Sequence, residues 1–530
     1  MQRVLESKVG FALLAGLYLL SFPYHPRMRS PNELCRLWQS RSLIDFGTLS
    51  INGTLAQLGA VGDLSCTAVV QGQRLAPCVG PFAAQSGVLA KYYYPSKAPL
   101  VSFLGAPVYW VLKAMGPVSE LRQVLFSRLF VTVLPALGLL WLLRRFLSAY
   151  VSQGVADVLV VVYGLGTMAF AYAEAFMSHQ VTAVLLFATF YVAWKVERGE
   201  WKERAYLLAG LLAASVVAAE YTGALGVVCV AAYVVASRWK KWGALGRAVA
   251  LVVAGAAPGL VALLAYHQAC FGSPWVSGYK FLNDPGYQGW HEGGFLGIHG
   301  PNLLALWLSL FSPLRGLFTL SPFLLAAPFG FTDVRKKDPA QFAFLLVLVA
   351  ANLYFTAGFS YASWGWTVGP RHLTPMVPFL MLPVAMVLER LGSGAGGLAR
   401  SVVAGLCVTS VAATGLVALI AYVPDDVSTS LWGLAVPLLT EGLWPVSWLA
   451  AWVPNPASGA VLELLLAGVV LWLSGRFIIQ QRARLLVVAA VLVGHFGLLR
   501  LATENHSGDK GARAFLSQVW VAPVGQRLQF

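Results

Sequence analysis

VLFSRLFVTVLPALGLLWLL, Val124–Leu143, runs directly into Arg144-Arg145. At about 1.5 Å per residue, twenty such residues cover a hydrocarbon core of roughly 30 Å. Arg128 stands near the start, and the arginine pair that ends the run marks a cytoplasmic boundary. The same pattern, an apolar run closed by basic residues at every second turn, recurs along the chain. Basic clusters fall at Lys195/Arg198/Lys202/Arg204, Arg238/Lys240/Lys241/Arg247, Arg335/Lys336/Lys337, Arg390 with Arg400, and Arg476/Arg482/Arg484. Taking these loops as cytoplasmic predicts about thirteen spans. They fall near 9–24, 124–143, 155–172, 180–195, 205–220, 221–237, 247–266, 316–332, 340–357, 372–388, 401–421, 459–475 and 485–500.

Composition agrees. The 530 residues are 58% hydrophobic and 11% charged, with mean hydropathy +0.70, whereas a soluble domain is about half apolar and a quarter charged. No period of two runs through the apolar segments, which excludes a membrane β-barrel. The expected fold is an all-α polytopic membrane bundle forming a single domain over 1–530. The net charge of +15 is accounted for by the cytoplasmic clusters, so nucleic acid is not expected as a partner. The first apolar helix ends in Ser21-Phe22-Pro23-Tyr24-His25 without a small-residue cleavage site, and reads as an uncleaved anchor. An odd number of spans puts the tail 501–530 outside, together with a structured first loop at 25–123 and a second large loop at 267–315. Pro99–Met115 is apolar but flanked by Lys97 and Lys113, and is expected to lie in the interface. Cys66 and Cys78 share the first loop and can bridge if that side is oxidising. Asn52-Gly53-Thr54 matches a glycosylation triplet that is common by chance.

The outer loops carry the candidates for chemistry. Glu33, in Pro31-Asn32-Glu33-Leu34-Cys35-Arg36, is a carboxylate just past a span. It is either one half of a solvated pair with Arg36 one turn on, or a general base. Asp45 and Asp63 are weaker alternatives; Asp63, after Gly62, has the look of a turn residue. In Tyr92-Tyr93-Tyr94-Pro95-Ser96-Lys97-Ala98-Pro99 the prolines stiffen the backbone around Lys97, a cation suited to a lipid phosphate. Trp364-Gly365-Trp366-Thr367-Val368-Gly369-Pro370-Arg371-His372 places Arg371 at a helix start, where its fork of donors and the helix dipole favour phosphate. Arg315 and Arg128 also head outer helix ends. Glu174 and His179 flank a short outer turn. No Cys-x-x-Cys or His-Glu-x-x-His motif is present, and no metal is assigned. Glu33, Glu174 and His179 are the only set offered for a divalent ion.

The order of these features resembles the GT-C class of membrane glycosyltransferases that use polyprenyl-phosphate sugars. The pattern is similar to that of the protein O-mannosyltransferases and the lipid A aminoarabinose transferases. The likeness rests on an acid soon after the first span, a Tyr-x-x-Lys-Ala-Pro element ending the first outer loop, and the thirteen-span layout. Phe271-Gly272-Ser273-Pro274, Phe311-Ser312-Pro313-Leu314-Arg315-Gly316-Leu317-Phe318 and Val368-Gly369-Pro370-Arg371-His372 resemble a bacterial branch of that group. The resemblance implies a catalytic carboxylate at Glu33, a carrier-phosphate lysine at Lys97 beside Tyr94, and a further phosphate arginine at Arg371 or Arg315. The loop acid is aspartate in the well-known members, and the second outer turn has Glu174 and His179 where an aspartate is usual.

The expected activity is transfer of a sugar from a polyprenyl-phosphate donor, held among membrane lipid, to a hydroxyl of a glycan, lipid or protein acceptor. It is placed at the periplasmic face of a bacterial inner membrane, with inversion. A transporter or flippase of a lipid-linked saccharide is the alternative, and it calls for ionisable groups near the bilayer midplane. A glycan ligase is a third, disfavoured because Val423–Ser458 has Asp425 and Asp426 but no basic residue.

Overall fold

A computed structural model of the chain describes residues 2–21, 23, 30–70, 73–78, 88–292, 297–359, 365–392, 397–444, 464, 468, 483–503 and 506–520. Five described helices are long and apolar enough to cross a membrane: Glu120–Leu147, Tyr221–Arg238, Trp242–Phe271, Pro339–Gly358 and Gly397–Ala418. Shorter apolar helices, among them Gly10–Leu20 and Leu485–Leu501, stand with them. The chain is a helical, multi-pass membrane protein. Two expected spans are broken. The run 155–172 divides into Gln153–Leu165 and Met168–Ala173, with Thr167 capping the second through the Ala169 N–H. The run 316–332 becomes the short helix Leu317–Leu320 and the 3₁₀ segment Pro322–Gly330, because Pro322 and Pro328 lack the N–H that an α-helix needs. Most of the expected span 459–475, together with Trp364 and tail residues 521–530, lies outside the described residues.

The basic loops are tied to one another at one end of the helices. Tyr150 donates to Asp338 at 2.8 Å and accepts from the Trp194 indole at 3.0 Å, Ser152 donates to Glu389 at 2.7 Å, and Arg390 pairs with Asp333. The other loops meet elsewhere. Arg128 reaches Glu33, Tyr172 donates to the Val368 carbonyl at 3.1 Å, and the Arg315 Nε donates to the Thr367 carbonyl at 3.2 Å.

The first loop holds a feature the periodicity argument missed. Between helices Pro31–Asp45 and Leu100–Ala114 lies an antiparallel sheet of order β2-β1-β3, with β1 Leu64–Val70, β2 Gln73–Pro77 and β3 Val88–Pro95. Its Val, Thr and Tyr residues suit a pleated, half-buried surface. A Cys66–Cys78 disulfide ties β1 to the end of β2. Leu64 pairs with Pro95, so the chain enters and leaves the sheet side by side, and the Ser96 N–H donates to the Asp63 carbonyl at 2.9 Å. The register thus sets Asp63 beside Ser96, one residue before Lys97, and the side chains of Asp63 and Lys97 meet. The Asn52 side chain is engaged with the Tyr93 N–H and the Lys91 carbonyl, so that triplet has a structural use. Helix Leu100–Ala114 packs on Pro31–Asp45 through Ser40, Tyr109 and Lys113, and leaves Trp110 and Val111 exposed.

Two glycines fix the helix that ends at Glu220. A Cβ on Gly210 would lie 2.0 Å from the Val252 carbonyl oxygen, and one on Gly255 would lie 1.9 Å from that of Leu207. Helices Tyr206–Ala219 and Trp242–Phe271 thus touch backbone to backbone, the small-residue packing that membrane helices favour. Gly255→Val should force them apart and lower the apparent unfolding temperature in detergent, by the equivalent of at least about 1–3 kcal/mol. An unchanged melting curve would show that the contact is dispensable.

Candidate functional site

The side chains that matter line one cavity of about 1720 Å³ beside the first loop. One part of its wall is apolar and comes from two of the crossing helices: Leu225 and Val228 from one, Val347, Ala351 and Tyr354 from the other. Val228 and Tyr354 remain 64% and 58% exposed, so this wall is open to the outside of the bundle. The opposite part is polar.

There Lys97 Nζ lies 3.3 Å from Asp63 Oδ1 and 5.6 Å from the centre of the Tyr279 ring. Asp63, in the left-handed region at φ 57°, keeps about a quarter (26%) of its side chain exposed, toward the cavity. Arg36 and Arg371 complete the group. Arg36 donates to the Asn32 side chain and carbonyl and to Ser178 Oγ at 3.2 Å, leaving its Nε without a partner among the described residues. Arg371 follows Gly369, at φ 70°, and Pro370, a turn that delivers it to the cavity; among the described residues its Nε also lacks a partner. Burial alone would raise the Asp63 carboxyl, but Lys97, Arg371 and Arg36 outweigh it and hold the group below the usual carboxylate range. Burial would likewise lower Lys97, and Asp63 with Tyr279 more than restores its charge. Three cations meet one carboxylate, an excess of positive charge suited to a phosphate.

A second cluster adjoins them. Glu220 ends helix Tyr206–Ala219; its Oε2 is 3.0 Å from His179 Nδ1 and its Oε1 is 3.2 Å from His372 Nδ1. Ser178, Thr182 and Thr222 hydroxyls stand 3.4 Å from the same carboxylate. One ligand atom from each of His179, Glu220 and His372 lies within 4.8 Å of the others, a spacing that a metal ion can bridge. The set offered by the sequence, Glu33 and Glu174 with His179, does not form.

Of the residues singled out in the sequence, Lys97, Arg371, His372, His179 and the alternative acid Asp63 line the cavity. Glu33 does not. Its oxygens receive Arg128 Nε and Nη2 at 2.6 and 2.7 Å, the Phe176 N–H at 2.7 Å and the Tyr422 hydroxyl at 3.3 Å. Burial pushes this carboxyl up, yet Arg128 and these donors hold it below its ordinary range. The expected Glu33–Arg36 pair is replaced by Glu33–Arg128, because Arg36 turns to Asn32 and Ser178. Arg128 is consumed by that pair and by the Pro23 carbonyl at 3.1 Å. Tyr94 packs edge-on to Phe271, in an apolar cluster with Tyr266. Asp45 binds Tyr109 and Lys113. Arg315 clamps Asp425 and the Val423 carbonyl, both at 2.5 Å. Glu174 is buried outside the cavity lining.

Asp63 stood in the sequence only as a weaker alternative to Glu33, and Arg36 and Glu220 were not foreseen as site residues. Asp63 needed the sheet register, and Arg36 was set against the wrong carboxylate. Glu220 did carry a signal, as the one acid between two apolar runs.

No protein-family model matches the sequence, and no curated protein matches it significantly. Among solved structures the chain is similar to ArnT from Cupriavidus metallidurans in the apo state, with 14% identity and a TM-score of 0.47 over 98% of this chain and 79% of that one. It is also similar to ArnT from the same organism bound to undecaprenyl phosphate, with 13% identity and a TM-score of 0.44 over 94% and 78% of the two chains.

Proposed function

We propose that the chain is a glycosyltransferase that moves a sugar from a polyprenyl-phosphate donor to an acceptor hydroxyl at the periplasmic face of the membrane. The observation that carries this reading is the convergence of Lys97, Arg36 and Arg371 at the polar end of a cavity whose other wall is apolar and opens between two spans. A prenyl chain fits that wall and a phosphate fits the cations. The Cys66–Cys78 bridge supports an oxidising compartment on the loop side.

In the proposed reaction the acceptor oxygen attacks the anomeric carbon as the bond from that carbon to the phosphate oxygen breaks. Polyprenyl phosphate leaves carrying the bonding electron pair. Asp63, open to the cavity, takes the hydroxyl proton, the role first given to Glu33. Lys97, Arg36 and Arg371 stabilise charge growing on the phosphate, where fixed donors act most strongly. Attack from the side opposite the leaving group inverts the anomeric centre. Tyr279, with its ring 4.4 Å from that of His291, offers an aromatic face for the sugar. A flippase calls for ionisable groups at the midplane, whereas these groups crowd at the loop end.

The test is incubation in nanodiscs with radiolabelled polyprenyl-phosphate sugars, followed by identification of the labelled product. Sugar should move to an acceptor in wild type, and Lys97→Met and Arg371→Met should each weaken donor binding at least tenfold. Unaltered donor affinity in both variants would reject the phosphate assignment.

A further inference from the structure

We propose that His179, Glu220 and His372 bind one divalent transition-metal ion of the Zn²⁺ class, with an open coordination position facing the cavity. The carboxylate carries the argument. Glu220 is 9% exposed, and its contacts among the described residues are two imidazoles and three hydroxyls, none of them an obligate cation. A buried carboxylate is ordinarily paired with a cation or coordinated to a metal. Each of its oxygens faces a different imidazole Nδ1, at 3.0 and 3.2 Å. Zinc bonds of about 2.0–2.2 Å place neighbouring tetrahedral ligands roughly 3.3 Å apart, so small shifts admit an ion. Two nitrogens and one carboxylate oxygen suit Zn²⁺ better than Mg²⁺ or Ca²⁺, which take oxygen ligands.

The three ligands come from separate elements: the first turn of Ser178–Glu197, the end of Tyr206–Ala219, and the 3₁₀ turn Arg371–Leu373. The ion therefore pins three helices at the cavity wall. Three protein ligands leave a fourth place, as in catalytic rather than structural zinc sites. Hydroxyls of Ser178, Thr182 and Thr222 orient the carboxylate, the outer-shell support that metal ligands generally have. Since Arg371 adjoins His372 in the chain, the open position lies beside the cation cluster and would take a phosphate oxygen. That last step alone rests on the proposed function.

The test uses full-length protein in detergent, stripped with EDTA and loaded with Co²⁺ alone. Wild type should bind one equivalent and show the visible absorption of tetrahedral Co²⁺, and Zn²⁺ should displace it. Glu220→Gln, which keeps the shape, and His179→Ala/His372→Ala should each lose the band. His506→Ala, at an exposed histidine, should retain it. If wild type binds no more Co²⁺ than the double variant, or if the band survives in variants that still fold, the site is not there. No donor is present, so failure of the transferase reading leaves this result unchanged. Adding undecaprenyl phosphate should then shift the band, and the absence of a shift would reject the phosphate ligand.

Discussion

Asp63→Asn should reduce sugar transfer by about 10²–10⁴-fold, the usual contribution of a positioned general base, while donor affinity is kept or tightened. The variant removes the one carboxylate facing Lys97 and leaves three cations for the phosphate, so binding and turnover move in opposite senses. Transfer and donor binding are measured separately on the same nanodiscs. Because Lys97, Arg371 and Arg36 hold the carboxyl below its ordinary range, this group remains an ionised acceptor as the pH falls through the usual carboxylate range, and fails only below it. Activity within tenfold of wild type would remove Asp63 from the mechanism.

The largest loss of stability is expected at Glu33. Glu33→Gln takes from the buried Arg128 its bidentate ion-pair partner, a change of about 3–5 kcal/mol, read as a fall in apparent unfolding temperature. Pairing it with Arg128→Met should recover part of the loss, because the stranded charge is then gone. The sign with pH follows from the lowered carboxyl. The stabilisation is complete above the unfolded value near 4.3 and disappears as pH falls through the folded one. The gap between wild type and Glu33→Gln should therefore narrow on acidification. A stable Glu33→Gln protein that binds donor but does not turn over would instead return the base to Glu33.

The membrane fold was legible because hydropathy and loop charge report directly on the solvent that each segment meets. Val124–Leu143 and the basic clusters placed most helices within a few residues. The breaks at Gly166-Thr167 and Pro322 were visible as residues but not as interruptions, since a short apolar run satisfies a span of either kind. Lys97 and Arg371 were found because their prolines mark a fixed backbone. At Glu33 it was the partner that the sequence did not reveal. Position after a span says that a carboxylate needs a partner, but not that the partner is Arg128, ninety-five residues on. Asp63 depended on β1 and β3, whose alternation is masked by small residues, and strand register cannot be read from one strand.

The apolar wall with exposed Val228 and Tyr354 bears on how such an enzyme is supplied. A substrate arriving through that gap is drawn from a two-dimensional solution, so its effective abundance is its mole fraction among lipids, not its molarity in the tube. Diluting the bilayer with inert lipid slows such a reaction even when every bulk concentration is held fixed, and detergent chains crowding the same entrance compete as the lipids do.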